Sequence, residues 1–409
     1  MTDAPDATAS SVPTVPPATR YLVAAILFLT YLLFAVGWRA GDHYVASHGF
    51  NASQTALLTN AITIAQVVGS LVAADVLLRL GPRNALTFGS ALIIFGGLIS
   101  LTSAYPLVFF IRFVLGLGGA LTVVFMSAIV AKIFTGRELQ VVNGVNSVAF
   151  NTGLAVALTF AVRMDANPTG AVITAAALSA AILALWLLVS RGLPKERASE
   201  VAVDASYTLR DGFREWFNWV FALAYTGLLS YYIVAFTFMD ADTVRWVVYA
   251  GVIGALSGTA IAAKVPNVLK PRVVVVSAAV QLLSAAAVLA LTEHRFATLV
   301  GVILGLAIFF PMPFFVQLAF IRPGATPRQI SVTFSIFWAV SYAGSVVFIQ
   351  IFAWIADATG GLGPGNVPVS LAPLVFIVIV EATFLIGAIL LARHLARTRS
   401  EEPRSEVAA

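Results

Sequence analysis

The sequence predicts an all-α integral membrane protein, with twelve transmembrane helices in two pseudo-symmetric six-helix bundles. Three observations predict this fold. Hydrophobic residues make up 60% of the 409 residues and charged residues only 11%, whereas about a quarter of a soluble globular chain is charged. Twelve apolar stretches are long enough to cross a bilayer, which takes about 20 helical residues each. The first six stretches also resemble the last six in sequence.

The apolar stretches follow one another with short polar connections. Each must be helical, because a strand of an open sheet would leave its backbone N–H and C=O groups unsatisfied in lipid. The predicted spans are 21–40, 54–79, 84–103, 107–131, 139–162, 169–190, 215–238, 245–266, 272–292, 296–321, 328–356 and 371–392.

Polar segments divide the chain into five parts. We predict a disordered cytoplasmic tail over residues 1–19, which is rich in proline and small residues, and a second cytoplasmic tail over 395–409. Between the tails we predict an N-terminal six-helix bundle over 20–190, a cytoplasmic linker over 191–212 and a C-terminal six-helix bundle over 213–394.

The positively charged residues predict the orientation of the chain. Of the 24 Lys and Arg residues, nineteen fall in the tails, the linker and the loops on the same side, and Arg112 lies within a span. The opposite loops hold only four, Arg39, Arg163, Arg245 and Arg295. Cytoplasmic loops carry the excess of Lys and Arg, so both termini are expected in the cytoplasm, with the chain in the cell (inner) membrane. The net charge of +5 then follows from topology and does not predict a nucleic-acid partner.

The composition also excludes several kinds of chemistry. The chain has no cysteine and only four histidines, which excludes disulfides, thiolate metal sites and a histidine-rich intramembrane metal site. No G-x-x-x-x-G-K-[ST] nucleotide loop occurs, and no Ser/His/Asp set or carboxylate pair is clustered for catalysis. We expect no enzymatic activity, cofactor or metal. The expected partners are the lipid bilayer and a small-molecule substrate, and the expected state is a monomer.

The two halves share a sequence repeat. The segment GSLVAADV at residues 69–76 aligns with GTAIAAKV at 258–265, an offset of 189 residues. At the same offset, the Leu-Gly-Leu triplet at 115–117 aligns with that at 304–306. A duplicated six-helix unit is typical of secondary transporters, whose halves move around a site near the bilayer midplane.

Three motifs resemble those of the major facilitator superfamily, and the resemblance covers residues 20–394. RLGPR at 79–83 is similar to the family's loop G-x-x-x-D-R-x-G-R-R, although Leu78 stands where that loop has its aspartate and the acid lies at Asp75. RFVLGLG at 112–118 is similar to the family motif R-F-x-x-G-x-G, and the glycines and asparagines of the fifth span resemble the family's fifth helix. The resemblance implies transport by alternating access, with spans 1, 4, 7 and 10 lining a central cavity.

Arg112 is the intramembrane cation of the chain. A guanidinium that faces lipid is costly, so Arg112 is expected to face the bundle. Because a guanidinium can bind two oxygens of a carboxylate or a nitrate-like group, one interpretation is an anchor for an anionic substrate. The alternative is a structural pair with Asp42, at the outer end of span 1.

Further substrate-binding candidates lie on the spans that the resemblance places around the cavity, and on the fifth span. Aromatic faces with few polar groups suit a small ligand. These candidates are Tyr31, Trp38, Tyr231, Gln317 and Asn146. The alternatives are core packing for the aromatic residues and interhelical hydrogen bonding for the asparagine.

Charges at the inner ends of the spans are gating candidates. Asp75 and Lys264 occupy equivalent positions of the repeat with opposite charge. The family's arrangement would bring Asp75 toward Arg328 and Lys264 toward Glu138, as pairs that form when the transporter is open to the outside. The alternative is that each charge extends to the membrane surface on its own.

Glu381 lies near the middle of the last span. No basic residue sits mid-span in the second half, so a carboxylate there has no obvious counter-ion and its neutral form is favoured. We consider Glu381 a proton-coupling candidate, against a structural role in a peripheral helix.

The leading functional interpretation is a secondary active transporter that moves a small organic or inorganic anion by alternating access, with proton coupling as an option. Efflux of amphipathic drug-like compounds is an alternative of the same class. A membrane receptor or scaffold with a transporter fold is the alternative from another class.

The cation distribution makes a topological prediction. A reporter enzyme that is active only outside the cytoplasm should be silent when fused after Ala409 or in the linker at 191–212, and active when fused after Asp165. Enzyme activity in whole cells measures this. A reporter that is active in the linker would contradict both the number of spans and the repeat.

Overall fold

The computed structural model describes residues 16–134, 136–192, 207–290, 296–322, 327–363 and 367–405. Twelve helices among these residues are long and apolar enough to cross a membrane, which confirms the predicted number of spans. We number them α1 to α12 in chain order. They occupy Pro17–Ala46, Ala52–Ala73, Arg79–Leu101, Tyr105–Val130, Val141–Thr159, Pro168–Val189, Trp216–Phe238, Asp242–Ala262, Lys270–Ala290, Ala297–Gln317, Val332–Ala358 and Ala372–Thr398.

The side on which α1 begins and α12 ends is called the inner side here, and the opposite side the outer side. The assignment of the inner side to the cytoplasm stays a prediction from the cation distribution. The N-terminal half comprises α1 to α6 and the C-terminal half α7 to α12.

The helices extend further at both ends of the chain than the sequence predicts. α1 begins at Pro17, where the fixed φ of proline suits the first turn of a helix. The helix that contains α12 continues to Ser405, beyond the predicted bundle boundary at residue 394. The rest of the first tail lies outside the described residues.

The linker between the halves is described only at its two ends. A short helix, Leu209–Arg214, begins in the predicted linker and ends two residues beyond its boundary at 212. Thr208 caps this helix, and its hydroxyl and backbone N–H both donate to the Asp211 carboxylate. These hydrogen bonds hold the pKa of Asp211 below its ordinary value.

Three positions interrupt the regular backbone of the bundle. The helix Ala52–Phe95, which contains α2 and most of α3, is kinked at Gly81, whose φ of 70° is a conformation that favours glycine. α5 is interrupted at Val148, between the helices Gly136–Ser147 and Ala149–Thr159. α10 is divided at Pro311, between the helices Ala297–Phe309 and Met312–Gln317.

Equivalent glycines of the repeat allow equivalent close contacts. A Cβ on Gly116 of α4 would lie 2.6 Å from the carbonyl oxygen of Ile62 on α2. Its repeat partner Gly305 on α10 packs in the same way against the carbonyl oxygen of Val247 on α8. Such backbone contact is how small residues hold membrane helices together. The structure therefore bears out the repeat at the level of helix packing.

The helices differ strongly in how much of their surface is buried. Within the most apolar window of each helix, 83% of residues are buried in α7 but only 22% in α6. α7 and α1, which is also largely buried, form the interior of the molecule, whereas α6 lies at the periphery.

The two halves are bonded to each other at the middle and on the outer side. Asn60 of α2 donates to the carbonyl oxygen of Val346 on α11 at 3.1 Å. Thr159 of α5 and Tyr249 of α8 share a hydrogen bond of 2.6 Å near their outer ends. The Asp357 carboxylate of α11 also accepts from the backbone N–H groups of Ala52 and Ser53, at the outer start of α2. We conclude that the structure is closed on its outer side.

Candidate substrate site and gates

Arg112 is buried at the outer end of the N-terminal half and has two partners. The side chain is 1% exposed. Its Nη2 donates to Oδ1 of Asp42 at 2.5 Å, and its Nε donates to the carbonyl oxygen of Leu58 at 2.8 Å. A Cβ on Gly41 would lie 3.1 Å from Nη1, so the glycine leaves room for the guanidinium. The structure thus has the Arg112–Asp42 pair that the sequence offered as the alternative to an anion anchor.

A second layer of charge surrounds this pair. Arg39 lies 3.7 Å from Oδ2 of the same Asp42 carboxylate. One turn further, Nδ1 of His43 lies 2.5 Å from Oδ1 of Asp165, which ties α1 to the short helix after α5. The Asp42 carboxylate thus lies between two guanidinium groups and binds Arg112 more closely than Arg39. Nη1 of Arg112 has no hydrogen-bond partner among the described residues.

An aromatic cluster lies between the halves, and Tyr31 and Trp38 both belong to it. The Trp38 ring centroid lies 5.7 Å from that of Phe150 on α5 and 5.6 Å from that of Phe236 on α7. Tyr31 stacks on Phe34 at 5.7 Å and meets Phe150 at 5.9 Å. The predicted aromatic face of span 1 therefore contacts the opposite half.

Tyr232 connects this cluster to α5. Its hydroxyl donates to Oδ1 of Asn151 at 2.8 Å, across the boundary between the halves. Its ring also packs edge-on against Phe236 and Phe309.

Tyr231, the tyrosine of α7 among the predicted substrate-binding residues, lies in a different environment. It is fully buried within the C-terminal half, and its hydroxyl lies close enough to Glu381 for electrostatic interaction. The prediction that Tyr231 binds substrate is wrong for this structure, because adjacent residues on a helix point about 100° apart and Tyr232 takes the interface.

Polar and phenolic groups stand near the aromatic cluster. Asn146 is buried on α5, and its Nδ2 has no hydrogen-bond partner in the described part of the chain. The phenols of Tyr31, Tyr225 and Tyr342 are close enough to influence one another electrostatically. Tyr342 belongs to α11, a helix from which the sequence interpretation took no binding residue.

Gln317 lies apart from this cluster. It ends α10 on the inner side and is partly buried. Its backbone carbonyl accepts from Phe320 and Ile321, and its side chain forms no hydrogen bond with other described residues. The structure therefore does not bring Gln317 together with Tyr31 and Trp38.

The predicted inner pairs are not formed among the described side chains. Glu138 accepts hydrogen bonds from Arg20 at 3.4 Å and from Tyr21 at 3.3 Å. The pair with Lys264 is expected when the transporter is open to the outside, so it stays a prediction. Lys264 and Asp75 are both exposed, as expected of charges that extend to the membrane surface. The side chain of Arg328 lies outside the described residues, so the Asp75–Arg328 pair stays a prediction.

A contact on the outer side that the sequence interpretation missed joins α2 and α11. The Asp357 carboxylate accepts hydrogen bonds from the backbone N–H groups of Ala52 and Ser53, at 3.1 and 3.0 Å, and from the Ser53 hydroxyl. These N–H groups are the first of α2, where the helix dipole favours a negative charge. The only sequence signal was an acid at the end of an apolar span, and its partner lies some three hundred residues away.

Glu381 is deeply buried in the C-terminal half. It is 1% exposed on α12 and faces Gln281 of α9 and Tyr231 of α7. No group of three or more His, Cys, Asp or Glu side chains within the described ranges could hold a metal ion.

Comparisons with known proteins place this arrangement in a family. The sequence profile described as Major Facilitator Superfamily matches residues 21–349. The chain belongs to the Major Facilitator Superfamily. A curated relative, the uncharacterized protein Cj0987c of Campylobacter jejuni, is 25% identical over 228 residues, which cover 54% of this chain and 70% of that protein.

Solved structures show the same fold. The nucleoside transporter NupG superposes with a TM-score of 0.66 at 12% identity, covering 93% of this chain and 98% of that one. A single-residue variant of NupG gives a TM-score of 0.67, also at 12% identity, covering 93% and 99%. The protein is therefore a twelve-helix membrane transporter of the Major Facilitator Superfamily.

The Arg112–Asp42 contact predicts strong energetic coupling. Removing one partner of a buried ion pair leaves the other charge uncompensated and costs about 3–5 kcal/mol. We expect Arg112→Met and Asp42→Leu each to lower the unfolding free energy in detergent. The double variant should lose less than the sum, by about 1–3 kcal/mol. The surface pair Arg245–Asp242, changed to the same residues, is the control and should couple by less than about 1 kcal/mol. Additive losses at Arg112 and Asp42 would contradict the pairing.

The Asp357 contact predicts a gate that opens when its charge is removed. Gln350 of α11 faces Asn60 across the closed outer side. Because the chain has no cysteine, the substitution Gln350→Cys introduces a single thiol there. Adding Asp357→Asn should raise its alkylation rate by a membrane-impermeant reagent about fivefold, since a charge at a helix N-terminus contributes about 1 kcal/mol. The control is Asp240→Asn, an acid that caps its own helix α8 and should leave the rate unchanged. Equal rates with and without Asp357→Asn would show that this contact is no gate.

Proposed function

We propose that this protein carries a small, uncharged, ring-containing solute of the nucleoside class across the membrane by alternating access. The observation that carries the proposal is the site between the halves. There the Tyr232–Asn151 hydrogen bond stands within the aromatic cluster of Tyr31, Phe150 and Trp38.

The chemistry of this site suits a flat, hydrogen-bonding ring. Aromatic side chains stack on heterocycles, and each stacked base contributes about 1–3 kcal/mol in nucleic-acid complexes. Amide groups such as those of Asn146 and Asn151 can bond to the polar edges of a ring. NupG, which shares the fold, is named as a nucleoside transporter, and this supports the same solute class.

The contacts of Arg112 disfavour an anionic solute. It rested on Arg112, whose guanidinium binds Asp42 and the carbonyl oxygen of Leu58. An anion would have to displace Asp42 and separate a buried pair. A cationic drug has no better basis, because Asp42 is paired and Glu381 faces the interior of the C-terminal half.

Transport by purified protein in proteoliposomes tests the proposal. Radiolabelled uridine should enter by counterflow, with saturation, whereas benzoate should not. Asn146→Ala should raise the apparent KM for uridine about tenfold, the equivalent of one buried hydrogen bond of about 1.4 kcal/mol. Asn84→Ala, at an exposed asparagine of α3, is the matched control and should leave KM unchanged.

The other outcomes separate the alternatives. Saturable benzoate uptake without uridine uptake would overturn the solute class and restore the anion interpretation. If neither solute, nor a panel of lipophilic cations, exchanges in vesicles, a receptor or scaffold function is favoured over transport.

A further inference from the structure

A polar cluster without internal hydrogen bonds lies inside the C-terminal half. Its members are Glu381 of α12, Gln281 of α9 and Tyr231 of α7, each at most 1% exposed. Both carboxyl oxygens, both polar atoms of the Gln281 amide and the Tyr231 hydroxyl lack hydrogen-bond partners among the described residues. Five orphaned polar atoms on three helices are unusual, because buried polar groups are nearly always bonded.

The surroundings of the cluster contain no compensating charge. α7 has no charged residue between Trp216 and Phe238, and α11, which also packs on α12, has none between 332 and 355. On α9 the cations are Lys270 and Arg272, at its inner end. The titratable group that faces Glu381 is the phenol of Tyr231, and its other facing group is the Gln281 amide. The negative charge of an ionised Glu381 would therefore be stabilised by hydrogen bonds alone.

We propose that Glu381 is a proton-binding site that couples transport to a proton gradient, and that Gln281 and Tyr231 are its positioning residues. The proposal rests on the transport function proposed above. The proton adds to one Glu381 oxygen, and its release returns the carboxylate, so no other reactant is required.

The three side chains can satisfy both forms of the carboxyl group. When it is protonated, the O–H donates to Oε1 of Gln281. When it is ionised, its oxygens accept from Nε2 of Gln281 and from the Tyr231 hydroxyl. An amide supplies both a donor and an acceptor, so rotation of Gln281 exchanges one arrangement for the other. A purely structural carboxyl group would need only one of them.

α7 links this cluster to the boundary between the halves. One turn before Tyr231, a Cβ on Gly227 would lie 3.2 Å from Cα of Glu381, so α7 and α12 are in backbone contact. Immediately after Tyr231, Tyr232 donates to Asn151 of the other half. A change in the bonding of Tyr231 therefore acts on the helix that holds the inter-half hydrogen bond. Coupling requires that proton binding favour one of two conformations. α7 provides the physical connection through which binding at Glu381 can do so.

Infrared difference spectroscopy of purified protein during a pH titration tests the site without any transported solute. We expect one carboxylic C=O band of an unhydrated group to respond to pH, and this band to be absent in Glu381→Gln. In Gln281→Leu the band should persist but shift in frequency, because its hydrogen-bond partner is gone. Asp242→Asn, at an exposed acid, is the control and should keep the band. A titrating band that survives unchanged in Glu381→Gln would overturn the proposal, as would a spectrum with no such band.

Transport by the same variants tests the coupling. Glu381→Gln imitates the protonated form, so uridine counterflow should continue while accumulation driven by a pH gradient falls at least tenfold. Accumulation that is driven equally well in Glu381→Gln, or by a sodium gradient instead, would overturn the proton assignment. If wild-type protein shows the infrared band but carries no uridine, the proposed solute fails while the proton site stands. If Glu381→Gln does not fold, Gln281→Leu is measured in its place. This variant should also reduce pH-driven accumulation more than it reduces counterflow.

Discussion

A bilayer offers no water to a buried polar group, and this constraint decides most of the interior of this protein. A guanidinium in hydrocarbon must find its partners within the protein, and Arg112 finds two, Asp42 and the carbonyl oxygen of Leu58. Nη1 has no hydrogen-bond partner among the described residues. An anion would still have to compete with Asp42 for this guanidinium, so the proposed solute site is built from the rings and amides between the halves.

The same constraint separates the two halves by role. In the N-terminal half the buried charges near the outer side are paired with one another, and such pairs hold a structure in place. In the C-terminal half, Glu381 has no cation to pair with, and its neighbours are groups that can change their hydrogen bonds. The carboxyl group that we propose to change its charge therefore lies in the half without such pairs.

The sequence predicts the fold well because span count and repeat depend on local properties. Apolar length alone finds twelve spans, and the aligned glycines Gly116 and Gly305 make the same kind of backbone contact in each half. Partners are harder to predict, since they depend on helix rotation and on contacts far apart in the chain. Tyr231 and Tyr232 point about 100° apart around α7, so the orientation of the helix decides which of them faces the other half. The composition of a uniformly apolar helix does not reveal that orientation. Glu138 was assigned to Lys264 of the opposite half but binds Arg20 of its own.

Some residues missed by the sequence interpretation carried a usable signal. Gln281 and Asn60 are polar residues within apolar spans. Gln281 faces the buried Glu381, and Asn60 donates a hydrogen bond to α11 across the boundary between the halves. Asp357 carried a weaker signal, because an acid at the end of a span is just as often exposed to water without a protein partner. Its role depends on a partner some three hundred residues earlier in the chain.

The start of α2 has two caps, and this has a consequence for the speed and reversibility of opening. Asn51 and Gln54 form a reciprocal capping box within α2 itself, and Asp357 is added from the other half. When the halves separate on the outer side, Asp357 leaves but the first turn remains capped, so α2 need not unravel. The contact of Asp357 with α2 can therefore break without local unfolding. In each transport cycle it can form again on an intact helix.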